Sequence, residues 1–301
     1  MFCSKNDRNL ALVTEQLMHS YEDRFGVNYT NRDNLPRRSE IVSVTEKLLE
    51  LLFPGFDQRF RGEVDTEEMV ECCFSELASQ ICRALHRFGS DKDCCACGGS
   101  ARCEEAALML LNKLPFIREV LKADVQAAYI GDPAAVSCDE VILSYPGLKA
   151  VAIQRLAHVL YEAKIPLIPR MMTEYAHSVT GIDIHPGACI GKGFFIDHGT
   201  GVVIGETAVI GENVRIYQGV TLGAVSFPKD ACGALIKGQK RHPSIGNNVI
   251  IYSGASVLGD ITIGDNSIVG GNVWLTESLP AGTKITAAMP ENRKKFNGQS
   301  K

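Results

Sequence analysis

An aliphatic residue returns at every sixth position through the C-terminal half of the chain. Ile184, Ile190, Ile196 and Val202 form one run, and after a two-residue slip Ile204, Ile210, Ile216 and Leu222 form another. Past an interruption the beat resumes at Ile245, Ile251, Val257, Ile263, Val269 and Leu275. A period of six matches neither the 3.6 of a helix nor two-residue alternation, but it fits short strands separated by turns, with each sixth residue facing a common axis. Glycines at 191, 205, 211, 246, 264 and 270 flank the beats and let the chain bend. The fourth residue after each beat is mostly small or β-branched (Ala188, Thr200, Ala208, Val214, Val249, Ala255, Ser267, Val273), which suits a second inward position in a narrow coil. The pattern predicts a parallel β-helix. A β-sandwich also supplies short aliphatic strands, but gives no reason for a fixed period.

The 301 residues leave room for a second region with its own core, and 45% hydrophobic with 22% charged residues excludes disordered and collagen-like classes. A net charge of -4, with no run of Lys or Arg, offers no field for nucleic acid or an anionic membrane surface. Small molecules are the expected partners. The N-terminus lacks an apolar leader core, and no stretch approaches the roughly 18 uncharged apolar residues of a membrane span, so a cytoplasmic protein is expected. Eleven cysteines, odd in number and including vicinal pairs, suit reduced thiols better than a disulfide framework.

Before about residue 165 the apolar spacing is helical. Met69, Cys73, Leu77, Ile81 and Leu85 fall at fours, with Asp65 as a candidate cap, and further helices are expected near 8–22, 39–53, 103–128 and 146–163. A last amphipathic piece, RMMTEYAHSVTG, leads into the first beat. The expected organisation is a helical capping and oligomerisation domain over 1–180, a coil over 181–289 and a tail over 290–301. The first turn of such a coil exposes strand edges and apolar side chains, so a helical cap there has a physical purpose. The interruption, about 223–243, reads as an extruded loop rich in Gly and Lys, suited to substrate contacts.

Three polar clusters break the aliphatic rhythm: Asp183-Ile184-His185-Pro186, Asp197-His198-Gly199-Thr200-Gly201 and Arg241-His242-Pro243. Asp183 and His198 are expected on successive laps. An imidazole takes a proton near neutral pH, and a carboxylate beside it fixes the tautomer and favours imidazolium, which makes His198 the candidate general base. His19, His86, His158 and His177, on helices, and His185 read as structural.

The run GIDIHPGACIGKGFFIDHGTGVVIGETAVIGENVRIYQGVTLGA, followed by KRHPSIGNNVIIYSGASVLGDITIG, closely resembles the serine acetyltransferases of the hexapeptide-repeat acyltransferases. The resemblance covers roughly residues 130–289. It implies an α+β protein: an N-terminal all-helical domain, then a left-handed parallel β-helix of hexapeptide repeats that trimerises, or pairs two trimers. Active sites would lie between neighbouring subunits, with acetyl-CoA along the coil and O-acetylserine as product. It assigns the catalytic dyad to Asp183 and His198, and the amino-acid contacts to Asp132 and Asp197. Arg241 would face the serine carboxylate, with His242 helping to position the substrate, and Gly223, Ala224, Ser253 and Gly271 would lie along the CoA arm. Charge logic agrees, since a zwitterion needs an anion for its ammonium and a cation for its carboxylate. Direct transfer by this route needs no metal and no covalent enzyme intermediate. L-Cysteine, which differs from serine only in its thiol, is the expected feedback inhibitor.

The chain departs from the family in two places. It ends Asn297-Gly298-Gln299-Ser300-Lys301, where many members end in an isoleucine that inserts into O-acetylserine sulfhydrylase, so that complex is not expected. Cys94, Cys95, Cys97 and Cys103 form a cluster whose spacing matches no standard metal site and reads as a loop of reduced thiols. Two rival functions keep the coil. A sugar or antibiotic acceptor leaves the carboxylate clamp unexplained, and a gamma-type carbonic anhydrase would use His185, His198 and His242 around zinc.

Overall fold

The computed structural model describes residues 6–22, 35–57, 60–88, 101–226, 230 and 232–288. Cys94, Cys95, Cys97 and the C-terminal tail lie outside them. Residues 1–35 form a unit of their own, which holds helix α1 (Asn6–Ser20). Among the described residues, the second unit, 36–301, contains six further helices and the coil.

These helices are α2 (Arg38–Leu52), α3 (Glu63–Phe88), α4 (Ala101–Gly131), α5 (Cys138–Ser144), α6 (Pro146–Glu162) and α7 (Ile168–Thr180). In α3 the four-residue spacing forms a buried stripe of Cys73, Leu77, Ile81 and Leu85 against α2 and α4. Asp65 is not the cap: α3 starts two residues earlier, and the Asp65 carboxylate reaches back to accept the Arg61 backbone N–H and its guanidinium. The short helix α5 was not anticipated. It is capped by Ser137, whose hydroxyl accepts the Glu140 N–H at 3.1 Å.

From Asp183 onward the chain is a left-handed coil of about five turns, with three parallel faces. Face A stacks β1 (Asp183–Ile184), β4 (Val203–Ile204), β7 (Thr221–Gly223), β10 (Ser256–Leu258) and β13 (Trp274–Leu275). Face B stacks β2 (Cys189–Ile190), β5 (Val209–Ile210), β8 (Ser244–Ile245) and β11 (Thr262–Ile263). Face C stacks β3 (Phe195–Asp197), β6 (Arg215–Tyr217), β9 (Ile250–Ile251), β12 (Ile268–Val269) and β14 (Lys284–Ile285).

The register turns the six-residue beat into columns. Ile184, Ile204, Leu222, Val257 and Leu275 lie over one another on face A, and Ile196, Ile216, Ile251, Val269 and Ile285 do so on face C. Most of these side chains are fully buried, each worth about 1.5–3 kcal/mol of hydrophobic stabilisation. The fourth-position residues also turn inward, except Thr200, which is exposed. The two-residue slip explains it. Asp183 pairs with Val203, a lap two residues longer than the regular one, and the surplus bulges out as the turn 198–202. The interruption is an excursion between β7 and β8 that leaves the register intact, because Val209 pairs directly with Ser244.

The helices close the open end of the coil. Ala150 and Val151 of α6 belong to the coil's own core, and a Cβ on Gly147 would lie 2.3 Å from the Ile196 carbonyl oxygen, so only glycine permits that approach. Deeper in, the buried Asp124 of α4 accepts from Arg155 of α6 and from the Phe194 N–H. Arg155 also donates to the Ile190 and Gly191 carbonyls, which ties two helices to the coil with every guanidinium nitrogen bonded.

Candidate active site

The polar residues gather at two corners of the coil. The first is the turn from face C into face A, and it carries the surplus residues. His198 there has φ +57°, in the left-handed region that asparagines occupy at other turns of this coil (Asn213, Asn248, Asn266, Asn272). The strained turn aims the imidazole outward: its side chain is 71% exposed, against 13% for Asp197. His198 Nδ1 lies 3.7 Å from Asp197 Oδ1, and both residues end or follow β3.

Asp132 comes to this corner from the helices. It follows the last residue of α4, and its carboxylate accepts the Tyr145 hydroxyl at 2.5 Å and the Ala134 N–H at 2.8 Å. The Tyr145 bond is the main reason its carboxyl sits below the usual range, followed by the Ala134 N–H, with smaller help from the charges of His198 and Arg215. The same bond raises the Tyr145 phenol. Asp132 is therefore a firmly ionised carboxylate within the field of His198.

Asp183 opens face A directly beneath that turn, since Gly201 donates to the Gly181 carbonyl and Asp183 donates to that of Val202. Its carboxylate lies 3.9 Å from Arg170 of α7. Among the described residues it makes no direct hydrogen bond to His198. Possible ligand atoms of Glu174, His177 and Asp183 lie within 4.8 Å of one another. The Arg170 guanidinium stands in the same group, pairing with Glu174, and opposes a cation there.

The second corner, from face A into face B, is a closed network. The Glu206 carboxylate accepts from Arg241 at 2.5 Å and from the Tyr161 hydroxyl of α6 at 2.8 Å. Burial alone would raise the Glu206 carboxyl, but its bonds to Arg241 and Tyr161 hold it low. Burial first, and the Glu206 bond second, push Tyr161 up to about 12. The Tyr161 ring meets His185 edge to face at 5.6 Å. His185 reads as structural here too, with Nδ1 accepting the Gly187 N–H.

His242 is only 7% exposed. Thr207 Oγ1 accepts the N–H groups of both Arg241 and His242, so its own hydrogen goes to His242 Nδ1, which also accepts the Thr207 N–H. The ring is thereby fixed with its hydrogen on Nε2. Burial, reinforced by Arg241, lowers its pKa to about 4, so it is neutral and a directed donor at physiological pH.

The candidate CoA residues divide between the corners. Gly223 pairs with Leu258, and Gly223 and Ala224 lead into the extruded loop, beside a cleft of ≈ 390 Å³ lined by Val225, Ile236, Lys240, Arg241 and Leu258. Ser253 and Gly271 stack at the first corner, where a Cβ on Gly271 would come 3.2 Å from the Ser253 carbonyl. Sequence reasoning missed Glu206, Tyr161, Thr207, Tyr145 and Arg170. Glu206 was within reach, since it lies in the repeat two residues after the Ile204 beat, but its partner Arg241 is 35 positions away across the loop.

A family model, Bacterial transferase hexapeptide (six repeats), matches residues 242–277. A plasmid serine acetyltransferase of Synechococcus elongatus is 59% identical over 189 residues, 63% of this chain and 59% of its own length. The chain thus spans about three fifths of the length of the curated Synechococcus relatives it matches. Serine acetyltransferase isoform 3 of Entamoeba histolytica, solved in complex with cysteine, is 38% identical with a TM-score of 0.72, and 95% of each chain is covered. Soybean serine acetyltransferase complexed with serine is 30% identical with a TM-score of 0.55, over 83% of this chain and 97% of that one. With 95% of the Entamoeba enzyme spanned at 38% identity and the repeat register intact, this chain belongs to the serine acetyltransferase family.

Proposed function

We propose that the protein transfers the acetyl group of acetyl-CoA to the hydroxyl of L-serine, giving O-acetylserine and CoA for cysteine synthesis. The observation that carries this reading is a zwitterion clamp divided between two corners. Asp132, kept ionised by its Tyr145 bond, and the carboxylate of Asp197 stand beside the exposed His198 at one, and Arg241, held in place by Glu206, stands at the other. A neutral acceptor such as a sugar would have no use for that pairing.

In this mechanism Asp132 and Asp197 face the substrate ammonium and Arg241 faces its carboxylate. His198 removes the hydroxyl proton, and a neighbouring carboxylate, Asp183 by resemblance, stabilises the imidazolium. The serine oxygen attacks the thioester carbonyl, the tetrahedral intermediate collapses by breaking the C–S bond, and His198 returns the proton to the departing sulfur. The Nε2–H of His242 is a fixed donor suited to a substrate oxygen. The cleft beside the loop, with Lys240 and Arg241 on its wall, suits a phosphate-bearing CoA arm.

The strands of face A separate the two corners within one chain. A second copy set against that face would bring the Arg241 corner of one chain to the His198 corner of the next, and three copies close the arrangement as a ring. The trimer, alone or paired, is the assembly this reading requires. L-Cysteine fits the same clamp and is expected to compete with serine, a reading supported by the cysteine complex of the Entamoeba relative. The test is release of CoA thiol from acetyl-CoA with L-serine, L-homoserine, a galactoside or no acceptor. Release that requires L-serine supports the reading, and release with the galactoside instead overturns the clamp.

A further inference from the structure

Asp132 does not belong to the coil. It sits at the start of a loop after the longest helix, yet its carboxylate must be aimed at a group presented by the coil. Two side chains, neither of them among the residues assigned to the substrate, hold it there. From the helical side, the Tyr145 hydroxyl donates to Asp132 Oδ2 at 2.5 Å. From the coil, Arg215 on face C donates through Nη1 to the carbonyl of Gly131, the residue just before Asp132, at 2.9 Å.

The fit around Gly131 is close. A Cβ there would lie 2.6 Å from Arg215 Nη2, 2.9 Å from Arg215 Cζ and 2.9 Å from the Phe195 ring, over which the guanidinium is stacked at 5.6 Å from the centroid. Gly131 itself is buried. The guanidinium thus caps the C-terminus of α4, where the helix dipole favours a cation, and fixes where the next residue starts. Tyr145, preceding Pro146 at the start of α6, then fixes where its carboxylate points. One oxygen of that carboxylate is held by the phenol and the other by the Ala134 N–H, so the group cannot rotate without losing a charge-assisted bond.

We propose that Tyr145 and Arg215 are positioning residues for amino-acid binding: together they fix the Asp132 carboxylate where the substrate ammonium is received. The proposal rests on the reading of Asp132 as the ammonium's partner. It makes the clamp's specificity depend on the junction between helices and coil as well as on the coil's own motifs.

The experiment compares Tyr145→Phe, Arg215→Gln and Asp132→Asn in the full-length protein, with KM for serine, KM for acetyl-CoA and kcat measured for each. Tyr145→Phe is expected to raise the serine KM about tenfold, the scale of one hydrogen bond to a charged group, with acetyl-CoA KM unmoved and any fall in kcat smaller. Arg215→Gln should act in the same direction, and Arg215→Lys should restore part of the loss. In an Asp132→Asn background, Tyr145→Phe should add little further. A normal serine KM in Tyr145→Phe while Asp132→Asn raises it would overturn the positioning role and leave the reading of Asp132 standing. A normal serine KM in Asp132→Asn itself would overturn both. Parallel rises in both KM values with a matching fall in kcat would show a merely structural role and count against the proposal.

Discussion

The two loaded corners of the coil differ in backbone, the first carrying His198, Gly199 and Gly201 at positive φ and the second, 205–208, no residue there, and they treat their side chains in opposite ways. At the face C to face A corner an imidazole is held out on a strained left-handed residue, 71% exposed, with a carboxylate 3.7 Å from its Nδ1. At the face A to face B corner the groups are held in place: Glu206 is tied to Arg241 and Tyr161, and His242 Nδ1 to Thr207. The contrast separates two demands. A group that must exchange a proton has to keep a free lone pair and access, whereas groups that orient a substrate gain from having their tautomer, charge and rotamer fixed in advance.

Removing the free group should have the largest effect. His198→Ala is expected to lower kcat about 10³-fold, within the range of a lost general base, with folding and cysteine binding retained; steady-state kinetics with calorimetric titration of cysteine checks both. Breaking the tied corner comes next. A Cβ on Gly205 would sit 2.1–2.6 Å from the His242 ring, so Gly205→Ala should displace the imidazole and depress serine turnover at least about tenfold, while the far corner keeps its structure. Glu206→Gln removes the charge that holds Arg241 and should raise the serine KM several-fold to about tenfold, the worth of a charge-assisted bond.

The smallest effect is a pH dependence of stability. Burial favours the neutral form of His242 and also lowers His185. As pH falls below the ordinary histidine value of about 6.5 the unfolded chain takes up protons that the folded corner refuses, so stability should fall down to about pH 4 and then level off for this group. Urea denaturation midpoints measured across that window should decline, with a shallower slope in His242→Gln.

These two kinds of corner were unequally legible in the sequence. The coil could be read because burial acts on every sixth residue, and columns such as Ile196, Ile216 and Ile251 repeat the signal. His198, Asp183 and Arg241 stood out because polar residues interrupt an aliphatic rhythm. What escaped were the partners, since pairing depends on lap length. The two surplus residues that expose Thr200 and the excursion before β8 shift which residues meet, so Glu206 could not be matched to Arg241 by counting. Tyr161 and Arg170 reach the corners from helices whose own periodicity reports only their packing, and Tyr145 from the link between two helices. The buried pair Asp124 and Arg155 escaped for the same reason, because a salt bridge between residues 31 apart on two helices leaves no periodic trace.

The central claim is that two corners, one from each of two chains, make one active site. The direct measurement is complementation: His198→Ala and Arg241→Ala chains, each inactive alone, are mixed under conditions that exchange subunits and assayed for serine-dependent CoA release. With random mixing in a ring, about a quarter of the sites join one intact corner of each kind, so about a quarter of the wild-type activity should return. No recovery in mixtures shown to contain both chains would contradict the account and place the whole clamp within a single chain.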